Sequence, residues 1–289
     1  MIIAAYNSHS TIVGCLDSLR QQTFTDFECI VVDSGPSDRS QEIIQANFPE
    51  VRFFRSPVQL PPQAARDKGA GYAKGSLFVF TDPDIYPAAD WLARMVAAYE
   101  RYNNVIVGAI DCYGHHWLDV GIHLCKFYKC LPGVKSIDIS PSGNMLCSRS
   151  LFESMGGFNT YDTQGDVLLS WHFVDEGNSL HFASDAIVYH HHAMTWGAFL
   201  KERYVRGRGY ASLRCAREGW RDAQVLLNTI KTVLPIRLAS LMLKGAVNAR
   251  RAGRLLDYAW TLPVILAGQA VWLAGEASYF AERLLRKKP

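Results

Sequence analysis

Over residues 1–108, short apolar runs alternate with longer amphipathic stretches. The runs at 1–5, 27–32, 51–54, 77–80 and 105–109 are too short and too continuously apolar to be helical stripes, and they read as buried strands. Between them, 11–22, 38–47, 61–74 and 88–102 carry apolar residues at helical spacing. Strand–helix alternation of this kind predicts a parallel sheet covered by helices on both faces. Further on the pattern is mixed, with helices at 118–128, 149–155 and 166–176 and strands at 144–148 and 186–189. From Thr195 onward the chain reads as helical. The first strand starts at Met1 itself and is expected to lack a few residues that would extend it.

The run at 77–80 ends in Thr81-Asp82-Pro83-Asp84, two carboxylates one residue apart. Open α/β sheets bind ligands beyond the carboxyl ends of their strands. Alternate residues of extended backbone point the same way, so Asp82 and Asp84 can offer oxygen to one hard divalent cation, which can in turn hold a diphosphate. An Asp-Pro pair is also an ordinary turn former, and both readings stand on these residues alone. The first strand–helix turn, Ala5-Tyr6-Asn7-Ser8-His9-Ser10, contains no G-x-G-x-x-G, so a dehydrogenase reading loses its main support.

Composition narrows the classes. The chain has 289 residues, 49% hydrophobic and 20% charged, which is globular and large enough for a sizeable core. A net charge of +3 is too small to imply a nucleic-acid partner, although basic residues crowd into 201–221 and 231–254. The seven cysteines form no C-x-x-C pair, and their odd number argues against a complete disulfide framework; they read as reduced thiols of a cytosolic compartment.

Several motifs occur together and in order: Ala5-Tyr6-Asn7, Val31-Val32-Asp33-Ser34-Gly35-Pro36-Ser37-Asp38, Ala65-Arg66-Asp67-Lys68-Gly69 with Ala73-Lys74-Gly75, and Thr81-Asp82-Pro83-Asp84. Downstream come Met155-Gly156-Gly157-Phe158-Asn159, Gly165-Asp166 and Val188-Tyr189-His190. The set resembles the family 2 glycosyltransferases, over roughly the first two-thirds of the chain. The resemblance implies an α/β, GT-A-like, mainly parallel sheet flanked by helices, with a C-terminal helical extension. It implies an inverting transferase that uses Mg2+ or Mn2+ and a nucleotide-diphospho-sugar donor, most often a UDP-sugar. Residue by residue it implies that Ala5 and Asn7 line the donor site and that Asp33 reads the nucleobase. Arg66, Lys68 and Arg206 would face the diphosphate, Asp82 the sugar or ribose, and Asp84, with His190, the cation. Each has an ordinary alternative: a turn-starting Asp33, a solvated basic helix face for Arg66 and Lys68, a satisfied His190.

Inversion needs a carboxylate to take the proton of the acceptor hydroxyl, and the resemblance assigns this to Asp166; as a helix-start Asp it also reads as an N-cap. The sequence departs from the family pattern at Gly165 and Leu168, where acids are usual. Arg203-Tyr204-Val205-Arg206-Gly207 stands where processive relatives carry Q-x-x-R-W, and only Arg206 matches, so transfer is expected to be non-processive. Of His190, His191 and His192, the first and third share a strand face.

The segment 258–275 is uncharged and just long enough to cross hydrocarbon, and 226–243 is amphipathic with basic residues beside apolar ones. With Trp260, Trp272, Tyr279 and the basic end Arg286-Lys287-Lys288, these segments read as a membrane-associated tail; the other reading is helices packed on protein. The chain then divides into a nucleotide-sugar-binding half at 1–108, an acceptor-binding half of the same catalytic domain at 109–195, and a helical, membrane-associated tail at 196–289. The expected partners are a nucleotide sugar, a glycan or lipid-linked acceptor, and the cytoplasmic face of the inner (plasma) membrane. A non-catalytic nucleotide-sugar-binding or scaffold protein of the same fold is the alternative. A nucleotidyltransferase finds no Gly-rich Arg-Lys loop after the first strand.

Overall fold

A computed structural model describes residues 1–35, 39–158 and 164–285. The motif residues Pro36, Ser37, Asp38 and Asn159, and the basic end Arg286-Lys287-Lys288, lie outside the described residues. In chain order the elements are β1 (Ile2–Ala5), α1 (Ile12–Arg20), β2 (Ile30–Asp33), α2 (Ser40–Asn47), β3 (Arg52–Arg55), α3 (Pro62–Tyr72), β4 (Leu77–Thr81), β5 (Ile85–Pro87), α4 (Trp91–Tyr102) and β6 (Val105–Cys112). They continue with α5 (Trp117–Phe127), β7 (Asn144–Ser148), α6 (Arg149–Ser154), α7 (Gly165–Asp175), β8 (Leu180–His190), α8 (Trp196–Arg217), α9 (Asp222–Val233), α10 (Pro235–Arg251), α11 (Leu255–Trp260) and α12 (Leu262–Leu285). Two compact units result: Met1–Tyr113 with Cys130–His191, and Gly114–Lys129 with the chain from His192 onward.

The first unit holds one eight-stranded sheet in the order β3-β2-β1-β4-β7-β6-β8-β5. Strands β1 to β4 are mutually parallel, and β6 is parallel to β8. Strand β7 runs antiparallel between β4 and β6, and β5 pairs antiparallel with the end of β8. Strands β1–β4, β6 and β8 thus share one direction, so the mainly parallel sheet expected from the sequence is present, with β7 and β5 as its antiparallel members. Periodicity reports that a segment is extended and buried, and carries no information on its direction. From β1 the chain winds outward through β2 and β3 and then returns to place β4 on the other side of β1. This reversal creates a switch point, the place where α/β sheets open a crevice beyond their carboxyl ends.

Alternation along β4 sends Phe78 and Phe80 to one face, where they meet Phe152 of α6 and Phe158. The Phe80–Phe152 and Phe80–Phe158 centroids lie 5.1 and 5.3 Å apart. Each such ring contributes about 1.5–3 kcal/mol by burial. On the opposite face of the sheet Asn144, fully shielded, accepts from Trp91 Nε1 at 2.9 Å and donates to Ala109 O at 2.9 Å, tying β7 to α4 and β6.

The second unit is helical. Its centre is α12, which packs on α8, α9 and α5. Glycines let α8 and α12 touch backbone to backbone: a Cβ on Gly207 would lie 2.2 Å from Trp272 O, and one on Gly275 2.2 Å from Tyr204 O. The stretch 258–275, just long enough to cross hydrocarbon, does not form one spanning helix. It is broken at Thr261 between α11 and α12, and it buries Gly268, Gln269, Leu273 and Gly275 in protein. No single helix among the described residues is long and apolar enough to cross a membrane. The amphipathic stretch 226–243 is likewise two helices, α9 and α10, bent by 65° at Leu234-Pro235. All seven cysteines are buried, reduced thiols.

Asn144→Ala should leave the Trp91 indole N–H and the Ala109 carbonyl unpaired in a dry core, at a cost of about 2–4 kcal/mol. The check is the shift of the urea midpoint, with near-UV circular dichroism reporting the Trp91 environment.

Candidate active site at the carboxyl ends of the parallel strands

Strands β1, β2 and β4 deliver Ala5, Asp33 and Asp82 to one edge of the sheet. Ala5 and Asp33 are paired in register, and Ser34 N donates to Ala5 O at 3.0 Å, which holds the two strand ends together. Asn7 follows with a positive φ of 51°, a conformation Asn tolerates, and turns the chain away from β1. A cleft of about 470 Å³ opens here between Ala5, Tyr6, Ser34 and the segment from Gln59 to Ala65.

Asp33 sits beside this cleft with a side chain only 1% exposed. Its Oδ1 accepts from Gly35 N at 2.8 Å and its Oδ2 from Arg55 Nη2 at 2.9 Å. Sequence reasoning misses Arg55. The signal was available, because Arg55 ends β3 in register with Asp33, but it required pairing strands that are far apart in the chain.

Arg66 lies on the buried side of α3, 3% exposed, and pairs with Asp82 Oδ1. Its guanidinium carbon stands 5.9 Å from the centroid of Phe158. A buried cation is tolerated only with a partner of this kind. The pairing puts Arg66 against the carboxylate, where the family resemblance implies phosphate. Lys68, two residues on, projects from the exposed face of α3 and is not brought into this set. Gly143 makes room for Asp82: a Cβ there would lie 2.4 Å from Asp82 Oδ2.

Asp84 and His190 face each other across the β5–β8 edge, with Asp84 Oδ2 and His190 Nε2 at 3.8 Å. Backbone pairing of Ile85 with His190, and His191 N donating to Asp84 O at 2.8 Å, fixes that approach. A gap of 3.8 Å is long for a hydrogen bond. Adjacent ligands of one octahedral ion with bonds of about 2.0–2.1 Å stand roughly 2.9 Å apart, so the carboxylate oxygen and the imidazole nitrogen would have to close by somewhat under about 1 Å to share a Mg2+- or Mn2+-sized ion. His191 turns the other way and stacks on Tyr86 at 5.8 Å. His192 belongs to the second unit, buried with its Nε2 3.1 Å from His123 Nδ1.

Asp166 is the second residue of α7; the N-cap position is taken by Gln164, so the capping role does not fall to Asp166. Its carboxylate Oδ1 accepts from the neighbouring Val167 N at 3.0 Å. Its carbonyl accepts from Ser170 Oγ at 2.7 Å, and that hydroxyl oxygen accepts from Ser140 N at 2.8 Å. Ser140 opens the loop that carries Gly143 beneath Asp82, so the start of α7 is anchored to the same loop as the acid pair. Arg206 lies in the second unit, where Glu202 stands 3.6 Å from its Nη1 and 3.2 Å from Lys126 Nζ. Those two cations hold the Glu202 carboxyl below its ordinary range in spite of burial. Neighbouring Arg203 is buried over Trp272, 4.3 Å from its ring, and Arg208 pairs with Glu282. Arg203 is thus inside the unit, while Arg208 keeps 38% of its side chain in solvent.

Asp67 is a second residue that sequence reasoning misses. Its Oδ1 accepts from Phe158 N at 2.7 Å, which pins the Gly156-Gly157 turn to α3; both glycines have positive φ, 74° and 68°. Asp67 thereby seats Phe158 under Arg66. Burial pushes the Asp67 carboxyl above its ordinary 3.8, against the opposing pull of the Phe158 amide and of Arg66.

The family model described as "Glycosyl transferase family 2" matches residues 1–156 of the 289, just over half of the chain. "Glycosyltransferase AglE" of Haloferax volcanii is 27% identical over 218 residues, covering 72% of this chain and 71% of its own. Among solved structures, "Mannosyltransferase PcManGT from Pyrobaculum calidifontis in complex with GDP-Man and Mn2+" superposes with a TM-score of 0.60 at 20% identity, over 100% of this chain and 87% of that one. A structure of GalNAc-T7 with UDP, GalNAc and Mn2+ superposes with a TM-score of 0.53 at 18% identity; it covers 66% of this chain, which spans only 43% of that protein.

A carboxyl raised by burial favours the folded state while protonated. Asp67 therefore contributes stability that is complete below its ordinary value and is lost as pH rises through its raised folded value. Asp67→Asn keeps an acceptor for Phe158 N without the charge. It should melt higher than the parent at pH 7, with the difference closing on acidification below that ordinary value. Asp67→Ala lacks the acceptor and should be less stable than Asp67→Asn by about 1–3 kcal/mol at every pH. Thermal melts across pH check both.

Proposed function

The chain belongs to glycosyl transferase family 2 and is a glycosyltransferase; on that premise we propose that it is a divalent-metal-dependent, inverting, non-processive enzyme using a UDP-sugar donor and a glycan or lipid-linked acceptor. The observation that carries this reading is the gathering of Asp33, the Arg66–Asp82 pair and the Asp84–His190 pair at the strand ends flanking the switch point. The GDP-mannose, UDP and Mn2+ of the two solved relatives support a nucleotide-sugar donor and a metal of this kind.

In this reading Asp33, held on one side by Arg55 and on the other by the Gly35 amide, is a fixed acceptor for the imide N–H of uracil in the adjoining cleft. Asp84 and His190 hold the cation. When bound, that ion offsets the negative charge that develops on the departing diphosphate. Asp82, pinned by Arg66, keeps one acceptor oriented toward a donor hydroxyl. The acceptor hydroxyl attacks the anomeric carbon from the face opposite the nucleotide. A new C–O bond forms as the bond to the diphosphate oxygen breaks, and the hydroxyl proton passes to the Asp166 carboxylate. Gly165 and Leu168 supply no second acid, so the proton has Asp166 as its destination. Of the positions where processive relatives carry their motif, only Arg206 matches, which supports transfer of one or a few sugars.

A donor panel assayed for UDP release in Mn2+ tests the reading. Asp166→Asn should lose roughly 10²–10⁴-fold in turnover while its UDP affinity by titration calorimetry stays within about twofold. Asp84→Asn should lose the part of UDP affinity that depends on Mn2+. Normal turnover by Asp166→Asn would remove the assigned base, and metal-independent UDP binding by the parent would remove the assigned cation site.

A further inference from the structure

Within the second unit, α9 and α10 bury only a narrow stripe, Val225 and Thr232 of the first and Gly245 and Ala249 of the second. What they expose is apolar. Leu226, Leu227, Ile230 and Val233 of α9 are each at least 50% exposed, and on α10 Ile236 and Leu243 reach 72% and 66%. These residues recur at helical spacing, so each helix carries a continuous outward apolar stripe. The hydroxyl of Tyr258 donates to Met242 O at 2.8 Å and lays α11 beside α10, adding Leu256, 86% exposed, and Trp260, 57% exposed. Monomeric proteins seldom leave so much contiguous apolar surface in water.

Inside this segment, between the Asp222 that opens α9 and Asp257 of α11, every charge is positive. Between Asp222 and Asp257 there is no acidic residue, while Lys231, Arg237, Lys244, Arg250, Arg251 and Arg254 all occur there. Arg237 and Arg254 pair with Glu276 and Asp257, whereas Lys231, Lys244, Arg250 and Arg251 are exposed. The stripe is thus bordered by four exposed cations with no acid interspersed among them. From this pairing of an outward apolar stripe with a one-signed basic border, we propose that α9–α11 form a monotopic docking surface for an anionic lipid bilayer. The side chains of Leu226, Ile230, Ile236 and Leu243 would enter the headgroup–acyl boundary, with the lysines and arginines at phosphate depth. Charge complementarity is what singles out the bilayer: an apolar face meant for a second copy of this chain would bring the exposed cations of each copy toward those of the other. The 65° bend and the buried stripe along both helices make the pair lie in the interface and not cross it. This surface is independent of the glycosyl-transfer reading.

Vesicle flotation of the full chain tests it. Binding to vesicles of phosphatidylglycerol and phosphatidylcholine should be at least about tenfold tighter than to phosphatidylcholine alone, should weaken in roughly 0.5 M salt, and should shift tryptophan emission to the blue as Trp260 leaves water. Ile236→Glu with Leu243→Glu should abolish flotation. Lys231→Glu with Lys244→Glu should remove the preference for anionic vesicles; both variants should keep the parent's far-UV spectrum and melting curve. Should the first pair unfold the chain, Ile236→Ser with Leu256→Ser, at the two most exposed of these positions, serves in its place with the same expectation. The proposal is overturned if the parent ignores both kinds of vesicle, if the surface variants float as the parent does, or if light scattering shows a dimer that the Ile236 and Leu243 changes dissociate while vesicle binding is absent.

Discussion

A guanidinium taken out of water has to be paired, and the site of this enzyme is arranged around that requirement at Arg66. The charge is buried on α3, lies over Phe158 and meets Asp82. Removing either partner of such a pair leaves the other charge stranded, which is far more costly than the pair is stabilising. The loop after β4 is therefore held in one place by the interior of the unit. Phe158 reaches its position because Asp67 anchors the preceding glycine turn, and Asp82 reaches Arg66 because Gly143 carries no side chain to block it. The aromatic core beneath β4, the turn after α6 and the acid pair at the strand end are in this sense one structure.

The same continuity explains how residues far apart in sequence come to share one edge of the sheet. Winding outward from β1 and returning to β4 sets three strand ends side by side, with Asp33, Asn7 and Asp82 on them. The antiparallel pairing of β5 with β8 then carries Asp84 to His190. Helix α7 is tied to the loop below Asp82 through Ser170 and Ser140, which sets Asp166 at the head of a helix whose position is not independent of the acid pair.

Much of this is legible in the sequence alone. Apolar runs locate β1, β3, β4, β6 and β7 to within a few residues, because a buried strand needs side chains of one character whatever its neighbours are. Asp33, Asp82, Asp84 and Asp166 can be named because they stand at strand or helix ends in a recurring order. Partnership is what the linear pattern conceals. Lys68 and Arg66 look alike in sequence, yet a helix turns about 100° per residue and puts them on different sides of α3. Arg55 and Asp67 matter only through residues 22 and 91 positions away. The uncharged stretch 258–275 matches a spanning segment by length, but Gly207, Gly268 and Gly275 reveal their purpose only when α8 and Phe199 are seen against α12. Composition registers that a segment is apolar; packing decides whether protein or lipid covers it.

In the proposed mechanism, glycosyl transfer depends above all on Asp84 and His190 seating a cation beside a nucleotide. Crystals grown with UDP and Mn2+, measured for anomalous scattering near the manganese edge, address this directly. The expected result is a single strong peak in coordination distance of Asp84 and His190, with the diphosphate on its open side and the base in the cleft next to Asp33. A peak bound elsewhere, or a nucleotide seated away from the ends of β1, β2 and β4, would contradict it.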